Sequence, residues 1–258
     1  VAIIIKAIEK VGFKDWTLRL GDLGLFSSVL DAAGLSPNWK KRLDDAFLRP
    51  LSFRDALKGY ATSVRPASSS IPEEILASLR RDDMEASEAA VAVYLEEEAI
   101  ELIGTRSLTD ITEHLISIAE DRNEKPLDAR AIDLIERYIG VSGSAITAGE
   151  KISALIREAP NSSGYALETY DRRLALLANA GIDLDRVTFS AEFGRTLAYY
   201  SGLVFEVNAA ALGSKSPIAG GGRYDGLMRA AGSNADIPAV GAAIHSERLL
   251  AAMGSKSP

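Results

Sequence analysis

The hydrophobic pattern of this chain changes once, near Gly181, and that change does most to limit the folds open to it. From residue 37 to residue 181, apolar side chains recur at helical spacing, and no stretch predicts a strand. Beyond Gly181, β-branched and aromatic residues alternate with polar ones, which is typical of strands. The predicted helices of the first region cover residues 39–47, 53–60, 72–79, 86–103, 108–120, 127–139, 146–156 and 165–180.

Strand patterns lie on both sides of this helical segment. On the amino-terminal side, a short helix over 7–12 leads into a strand over 16–20, and Asp22 is placed to cap the helix that follows. On the other side, strands are predicted over residues 187–190, 203–207 and 239–244. We therefore predict an α+β fold in which residues 1–36 and 182–258 form one domain, interrupted by a helical insertion over 37–181.

Three consecutive glycines at 220–222 invite comparison with phosphate-binding loops. The chain has neither a Gly-x-x-x-x-Gly-Lys-Ser/Thr motif nor a Gly-x-Gly-x-x-Gly motif after a strand. We predict instead a glycine turn that opens a short helix over 223–228.

Composition excludes several classes of site. The 258 residues contain no Cys and two His, His114 and His245, so disulfides, thiolate metal sites and cysteine nucleophiles are excluded and no metal site is predicted. The net charge of −7 argues against a protein that clamps a phosphate backbone. The apolar start of the chain is too short and too charged for a membrane span or a signal peptide, so we expect a cytoplasmic protein without nucleic-acid or membrane partners.

Arg and Tyr residues gather in the strand-rich block and are the first candidates for a binding site. A guanidinium binds a carboxylate or phosphate with two donors, and Tyr supplies an aromatic wall with a hydroxyl, so together they suit a small anionic or zwitterionic ligand. The alternative is that the Tyr rings pack the sheet and the Arg side chains are solvated. If Tyr199 and Tyr200 lie on a strand, they point to opposite faces, so we expect one to line the pocket and the other to pack beneath it.

The same block resembles the histidyl-tRNA synthetase family. The similarity rests on RTLAYYSGLVFE at 195–206, GGRYDGL at 221–227, and the stretch from AVG at 239–241 to ERL at 247–249, which are similar to the family's histidine-binding motifs and motif 3 in order and spacing. LRLGD at 18–22 resembles the strand and turn that follow motif 2. Motifs 1 and 2 themselves are not recognisable before Trp16, and the chain starts without Met, so we expect an N-terminal part to be missing.

The resemblance implies a class II aminoacyl-tRNA synthetase-like antiparallel sheet flanked by helices. It also implies a histidine-like ligand pocket formed by Arg195, Tyr199, Tyr200, Glu206, Gly221, Gly222, Arg223 and Tyr224.

Departures from the family pattern lie at the amino-acid and nucleotide sites. Thr196 and Ala198 replace a Gly and an Asp of the synthetase signature, so one carboxylate is lost. His245 stands where motif 3 has a glycine, and an imidazole there would crowd the ATP position. Arg248 matches the family's ATP-binding arginine, so His245 and Arg248 are interpreted as a degenerate nucleotide site. The chain also ends ten residues after Arg248, where a synthetase continues into an anticodon-binding domain.

These departures favour the family's non-catalytic paralogues, the regulatory subunits of ATP phosphoribosyltransferase, which catalyses the first step of histidine biosynthesis. The resemblance then implies no catalytic residues and no cofactor, assembly with the short-form catalytic subunit, self-association as a dimer within that hetero-oligomer, and histidine as an effector that couples distant sites. Whether histidine occupies the synthetase-like pocket or a subunit interface stays open. Two alternatives remain, an amino-acid-activating synthetase and a free-standing histidine sensor.

Overall fold

A computed structural model describes residues 1–61, 71–100, 107–159, 161, 165–194, 199–213, 216–233, 235 and 237–254 of the chain. Its helices are α1 (Ala2–Lys10), α2 (Leu23–Ala32), α3 (Pro37–Phe47), α4 (Pro50–Tyr60), α5 (Glu73–Ser78), α6 (Met84–Glu97), α7 (Leu108–Asn123), α8 (Ala129–Ile139), α9 (Ala145–Glu158), α10 (Tyr165–Asn179), α11 (Leu227–Ala230) and α12 (Ser246–Gly254). Its strands are β1 (Trp16–Asp22), β2 (Ser142–Ser144), β3 (Val187–Ser190), β4 (Leu203–Ala209), β5 (Ala219–Arg223) and β6 (Val240–Ile244). Within these described ranges, no helix is long and apolar enough to cross a membrane.

The strands form one six-stranded sheet in the order β2-β3-β1-β4-β5-β6. Every pair is antiparallel except β1 and β3, which run parallel. The predicted antiparallel sheet is therefore observed with one parallel pair. These two strands are parallel because the chain leaves β1, passes through the helical segment, and then adds β3 beside β1 in the same direction.

Register divides the sheet into an apolar face and a polar face. Leu18 pairs with Val207 and Leu20 with Phe205, and these side chains are almost completely buried. Between them Arg19 pairs with Glu206, which in turn pairs with Gly220 on β5, so these residues share the opposite face. We call the face that bears Arg19, Glu206 and Gly220 the polar face.

Helices cover the apolar face. Tyr170 of α10 meets Phe189 of β3 edge-on, with ring centroids 5.4 Å apart, and its hydroxyl donates to the Ala145 carbonyl at 2.8 Å. Burial raises the pKa of Tyr170, so this hydroxyl stays protonated as a donor. The helix α10 therefore packs on the same face of the sheet as Leu20, which pairs with Phe189.

Asp22 connects β1 to the helices at the edge of this core. Its Oδ1 accepts a 2.9 Å hydrogen bond from the Gly24 amide, which confirms the predicted N-cap of α2. The buried carboxylate also pairs with Arg173 of α10. The end of β1 is thus fixed to two helices by a single side chain.

The chain divides into two compact units. One, the sheet unit, comprises Val1–Arg54 and Arg130–Pro258; the other, the helical unit, comprises Asp55–Ala129. The helical segment predicted over 37–181 is thus shared between the units. The physical reason is that α3 packs on α2, while α9 and α10 pack on the sheet and on α2, so these helices belong to the sheet core.

The helical unit has its own small core, between α5, α6 and α7. Its buried members are aliphatic: Leu76, Leu79, Val91, Leu115, Ile116 and Ala119. At the start of α7, Ser107 and Asp110 form a reciprocal capping box. His114 on α7 is exposed.

Candidate functional site

Three tyrosines form an aromatic cluster beside the polar face. The rings of Tyr199 and Tyr200 lie 4.3 Å apart between centroids, and the Tyr224 ring lies 5.6 Å from the first and 6.2 Å from the second. Tyr199 is 43% exposed, whereas Tyr200 and Tyr224 are half-buried. Both Tyr199 and Tyr200 precede β4, which begins at Leu203, so strand alternation does not separate them. We call Tyr199, Tyr200 and Tyr224 the tyrosine cluster.

Glycines on β5 and β6 provide the space for these rings. A Cβ on Gly222 would lie 2.7 Å from the Tyr200 ring and 2.8 Å from the Leu203 carbonyl oxygen. A Cβ on Gly241, which pairs with Gly222, would overlap the Tyr224 hydroxyl. Any larger residue at either position therefore displaces a tyrosine ring.

The glycine turn predicted at 220–222 is wrong, because these residues lie inside β5. Gly221 faces the other way from Gly222, and a Cβ there would overlap the Gly241 carbonyl and approach the Ala242 backbone to 2.7 Å. The glycines thus allow strand-to-strand approach on one side of β5 and ring packing on the other.

Asp225 ties together the segments that carry the cluster. Its Oδ2 accepts from Arg223 Nε at 2.6 Å, and its Oδ1 accepts from the Ala239 amide at 3.0 Å. Its own amide donates to Ser201 Oγ at 3.0 Å. The hydrogen bond from Arg223 lowers the pKa of Asp225, and the Ala239 amide contributes in the same direction. Because Tyr200 and Tyr224 adjoin Ser201 and Asp225, the hydrogen bond from the Asp225 amide to Ser201 joins the two segments that carry these rings.

The pKa of the Tyr200 hydroxyl is raised above its ordinary value. Burial raises its pKa, and its hydrogen bond with Tyr199 and the charges that Tyr199 and Tyr224 would acquire on ionisation act in the same direction. At neutral pH the Tyr200 hydroxyl therefore stays uncharged, so it can both donate and accept hydrogen bonds.

Glu206 is the charged centre of the polar face. Its Oε1 lies 3.4 Å from Arg19 Nη1 and accepts a 3.2 Å hydrogen bond from Asn208 Nδ2. The Arg19 guanidinium also lies 4.8 Å from the centroid of the Phe193 ring. The Glu206 side chain is only 13% exposed, so Arg19 and Asn208 compensate for much of its lost hydration.

His245 and Arg248 lie at the other end of β6 from the tyrosine cluster. Arg223 pairs with Val240 at one end of β6, and Ala219 pairs with Ile244 at the other, next to His245. The Tyr224 ring lies on Gly241, four residues before His245, so at ~3.3 Å per strand residue about 13 Å separates the cluster from His245. His245 immediately precedes α12, and its amide donates to the Ile218 carbonyl at 2.9 Å. Arg248 Nη1 donates to the Pro217 carbonyl at 3.0 Å.

The structure brings together part of the predicted ligand set. Tyr199, Tyr200, Tyr224 and Gly222 are in contact, and Glu206 lies on the same face of the sheet. Arg223 lies on the other face of β5, and its side chain donates a hydrogen bond to Asp225. Arg195, with Thr196 and Ala198, lies outside the described residues.

Sequence reasoning missed Arg19, Asp225 and Gly241 as parts of the site. Strand register could have indicated Arg19, since it is the polar residue between two apolar ones on β1. The positions of Asp225 and Gly241 depend on how β5 and β6 pair, and a run of glycines conceals that pairing.

The residues of the polar face determine which ligands the site can accept. The described parts of the chain contain no group of three His, Cys, Asp or Glu placed to hold a metal ion. The polar face offers the aromatic surfaces and hydroxyls of the tyrosine cluster and the carboxylate of Glu206, a set that fits a small polar molecule with a cationic or ring-shaped group.

Comparison with known proteins identifies the family to which the chain is similar. Residues 112–249 match the family model of histidyl-tRNA synthetase. The ATP phosphoribosyltransferase regulatory subunit of Agrobacterium fabrum is 34% identical over 248 residues, which cover 93% of this chain and 63% of that protein. The regulatory subunit of Rhizobium rhizogenes is 33% identical over 239 residues, 92% of this chain and 62% of that protein. The chain therefore spans about three fifths of the length of the curated relatives it matches.

A solved structure supports the fold assignment. The ATP phosphoribosyltransferase regulatory subunit/histidyl-tRNA synthetase from Bacillus halodurans superposes with a TM-score of 0.57 at 17% identity, covering 97% of this chain and 48% of that one. The predicted class II aminoacyl-tRNA synthetase-like fold is thus confirmed. With more than half of its residues matched by the family model, this chain belongs to the histidyl-tRNA synthetase family, in which its curated relatives are regulatory subunits of ATP phosphoribosyltransferase.

Proposed function

We propose that this chain forms part of a regulatory subunit of ATP phosphoribosyltransferase that acts in the cytoplasm and does no chemistry of its own. The observation that carries the proposal is the 31–34% identity to curated regulatory subunits over at least 90% of the chain. The departures at Thr196, Ala198 and His245 support it, because they alter the amino-acid and nucleotide positions that a synthetase needs. The partner is then the short-form catalytic subunit.

Reconstitution with the catalytic subunit tests this proposal. The short-form catalytic subunit is assayed for phosphoribosyl transfer to ATP, alone and with the full-length form of this protein. We expect the mixture to be active, to be inhibited by histidine, and to elute as one hetero-oligomer. Unchanged activity, with the two proteins eluting separately, would favour the free-standing sensor and refute the regulatory assignment.

Absence of adenylation is the second part of the proposal. By its resemblance to the family, His245 occupies the glycine position of motif 3, where an imidazole would crowd the space that a nucleotide needs. We expect histidine-dependent exchange of pyrophosphate into ATP to stay at the level of a blank. Exchange well above that level would establish the synthetase alternative instead.

The tyrosine cluster is the proposed place for the effector. Its aromatic rings would stack on an imidazole ring, and Glu206 would attract an α-ammonium group, while Arg195 is expected from sequence to receive the carboxylate. Arg195→Ala should weaken histidine inhibition of the assembled transferase by about tenfold or more, since a hydrogen bond to a charged group contributes ~1.5–3 kcal/mol. Subunit assembly should persist. An unmoved inhibition curve would place histidine at a subunit interface.

A further inference from the structure

The two units of the chain carry opposite net charges. The helical unit, Asp55–Ala129, contains 17 Asp and Glu against 7 Lys and Arg, a formal charge of −10. The sheet unit contains 19 acidic and 22 basic residues, a formal charge of +3. The formal charge of −10 on the helical unit attracts cationic partners and repels phosphate and anionic lipid.

A groove opens on the surface of this acidic unit, with a volume of about 570 Å³. It lies between α5, with the turn that follows it, and α7. The lining residues are Glu73, Leu76, Ala77, Leu79, Arg80, Arg81, Asp82, Ile116, Ala119 and Glu120. Its size falls within the range of about 300–1,000 Å³ typical of binding sites.

The floor of the groove is apolar. Leu76, Leu79 and Ile116 are members of the unit's core and are at most 3% exposed. Ala77 lies on the exposed side of α5 and forms part of the wall. Aliphatic groups that enter the groove therefore extend an existing hydrophobic core.

Some charged side chains on the rim of the groove have hydrogen-bond partners among the described residues and others have none there. Arg81 donates two hydrogen bonds to Glu120, at 2.9 and 2.8 Å, and Arg80 Nη1 donates to the carbonyls of Ala77 and Leu79. The side chains of Glu73 and Asp82 make no hydrogen bond or ion pair with any residue in the described part of the chain. Both are exposed, so the groove offers two available carboxylates beside an apolar floor.

We propose that the groove between α5 and α7 docks a helical segment of a protein partner with aliphatic side chains on one face and Lys or Arg beside them. The aliphatic side chains enter the floor, and the cations meet Glu73 and Asp82. A helix lying in an apolar groove is an established mode of peptide recognition, and charge complementarity selects basic segments over acidic ones. This inference does not depend on the proposed regulatory function.

A designed peptide pair tests the proposal. The probes are a synthetic amphipathic peptide with one leucine face and one lysine face, and its counterpart with every Lys replaced by Glu. Binding to the full-length protein is measured by calorimetry, with the Ile116 methyl signal observed by NMR. We expect the lysine peptide to shift Ile116 and to bind at least about tenfold more tightly than the glutamate peptide.

Two matched pairs of variants separate the groove from the general acidic field. Ala77→Trp fills the groove and should weaken binding by about tenfold, whereas Ala92→Trp on the exposed side of α6 should not. Glu73→Lys with Asp82→Lys should weaken binding more than Glu96→Lys with Glu97→Lys, which changes the net charge equally but lies outside the groove. Wild-type binding by Ala77→Trp, or equal weakening by the two charge reversals, would overturn the proposal.

Discussion

The sheet unit and the helical unit build their hydrophobic cores from different residue types. The sheet unit buries large aromatic residues; Phe26 and Phe47, for example, stack with ring centroids 3.8 Å apart. The helical unit instead buries a few aliphatic side chains between three helices. The sheet unit presents tyrosine hydroxyls and a carboxylate, Glu206, that is paired with Arg19, whereas the helical unit presents the exposed carboxylates of Glu73 and Asp82 in a strongly acidic surface. We therefore propose that ligand recognition and charge-dependent recognition belong to separate parts of the chain.

Core truncation should have the largest effect and tests whether the two units are energetically separate. Leu18→Ala in the sheet and Leu76→Ala in the helical unit each remove a buried side chain, which costs about 2–5 kcal/mol. We expect Leu76→Ala to reduce amide exchange protection within residues 71–120 and to leave β1, β4 and β5 protected. Equal loss of protection in both units would break the comparison.

Glycine substitutions should have the next largest effect, and only in the sheet unit's tyrosine cluster. Gly222→Ala places a Cβ 2.7 Å from the Tyr200 ring and 2.8 Å from a backbone oxygen, so overpacking should cost about 1–3 kcal/mol in the free energy of unfolding. Gly220→Ala is the matched control, because its Cβ would meet only the Phe205 carbonyl, at 3.4 Å. Urea unfolding of both variants measures the difference, and equal stabilities would show that the rings do not depend on Gly222.

Alkaline pH should distinguish the units through Tyr200. Its folded pKa is raised above the ordinary value of about 10, so its contribution to stability is complete below that pH and is lost as the pH rises further. Tyr200→Phe should therefore reduce the alkaline loss of stability, followed as thermal midpoint against pH. Tyr94→Phe removes a hydroxyl from the helical unit and should leave the profile unchanged; identical profiles for all three proteins would contradict the assignment to Tyr200.

The smallest expected effect concerns the ion pair on the helical unit. Arg81 and Glu120 form a two-pronged pair, but their side chains are 53% and 31% exposed, so Arg81→Ala should cost no more than about 1 kcal/mol. The loss should shrink as salt is added. A larger, salt-independent loss would show that Arg81 supports the core of the unit rather than its surface.

Most elements were predictable because their patterns are local. The strand at Val187–Ser190 was predicted at its observed bounds, and α7 was predicted to begin at its observed start, Leu108. β5 was missed because glycines have low strand propensity and carry no hydrophobic pattern. What makes β5 a strand is the pairing of β4 and β6 on its two sides, which no local window contains.

The candidate site was predictable in composition but not in geometry. Its tyrosines were identified from their types and spacing, yet their convergence depends on Ser201, Asp225 and the amide of Ala239. Arg223 was placed among the ligand residues, whereas strand alternation directs it to Asp225 instead. The ring positions thus depend on contacts between residues 24 and 14 apart in sequence, whereas the Arg223–Asp225 pair is local.

Histidine titration of the isotope-labelled full-length protein tests most directly the claim that ligand recognition belongs to the sheet unit. Amide shifts of Gly222, Gly241 and the residues flanking the tyrosine cluster are followed together with those of α5–α7. We predict saturable shifts around Tyr199, Tyr200 and Tyr224 and none in the helical unit. Shifts confined to α5–α7, or no shifts at saturating histidine, would contradict the account.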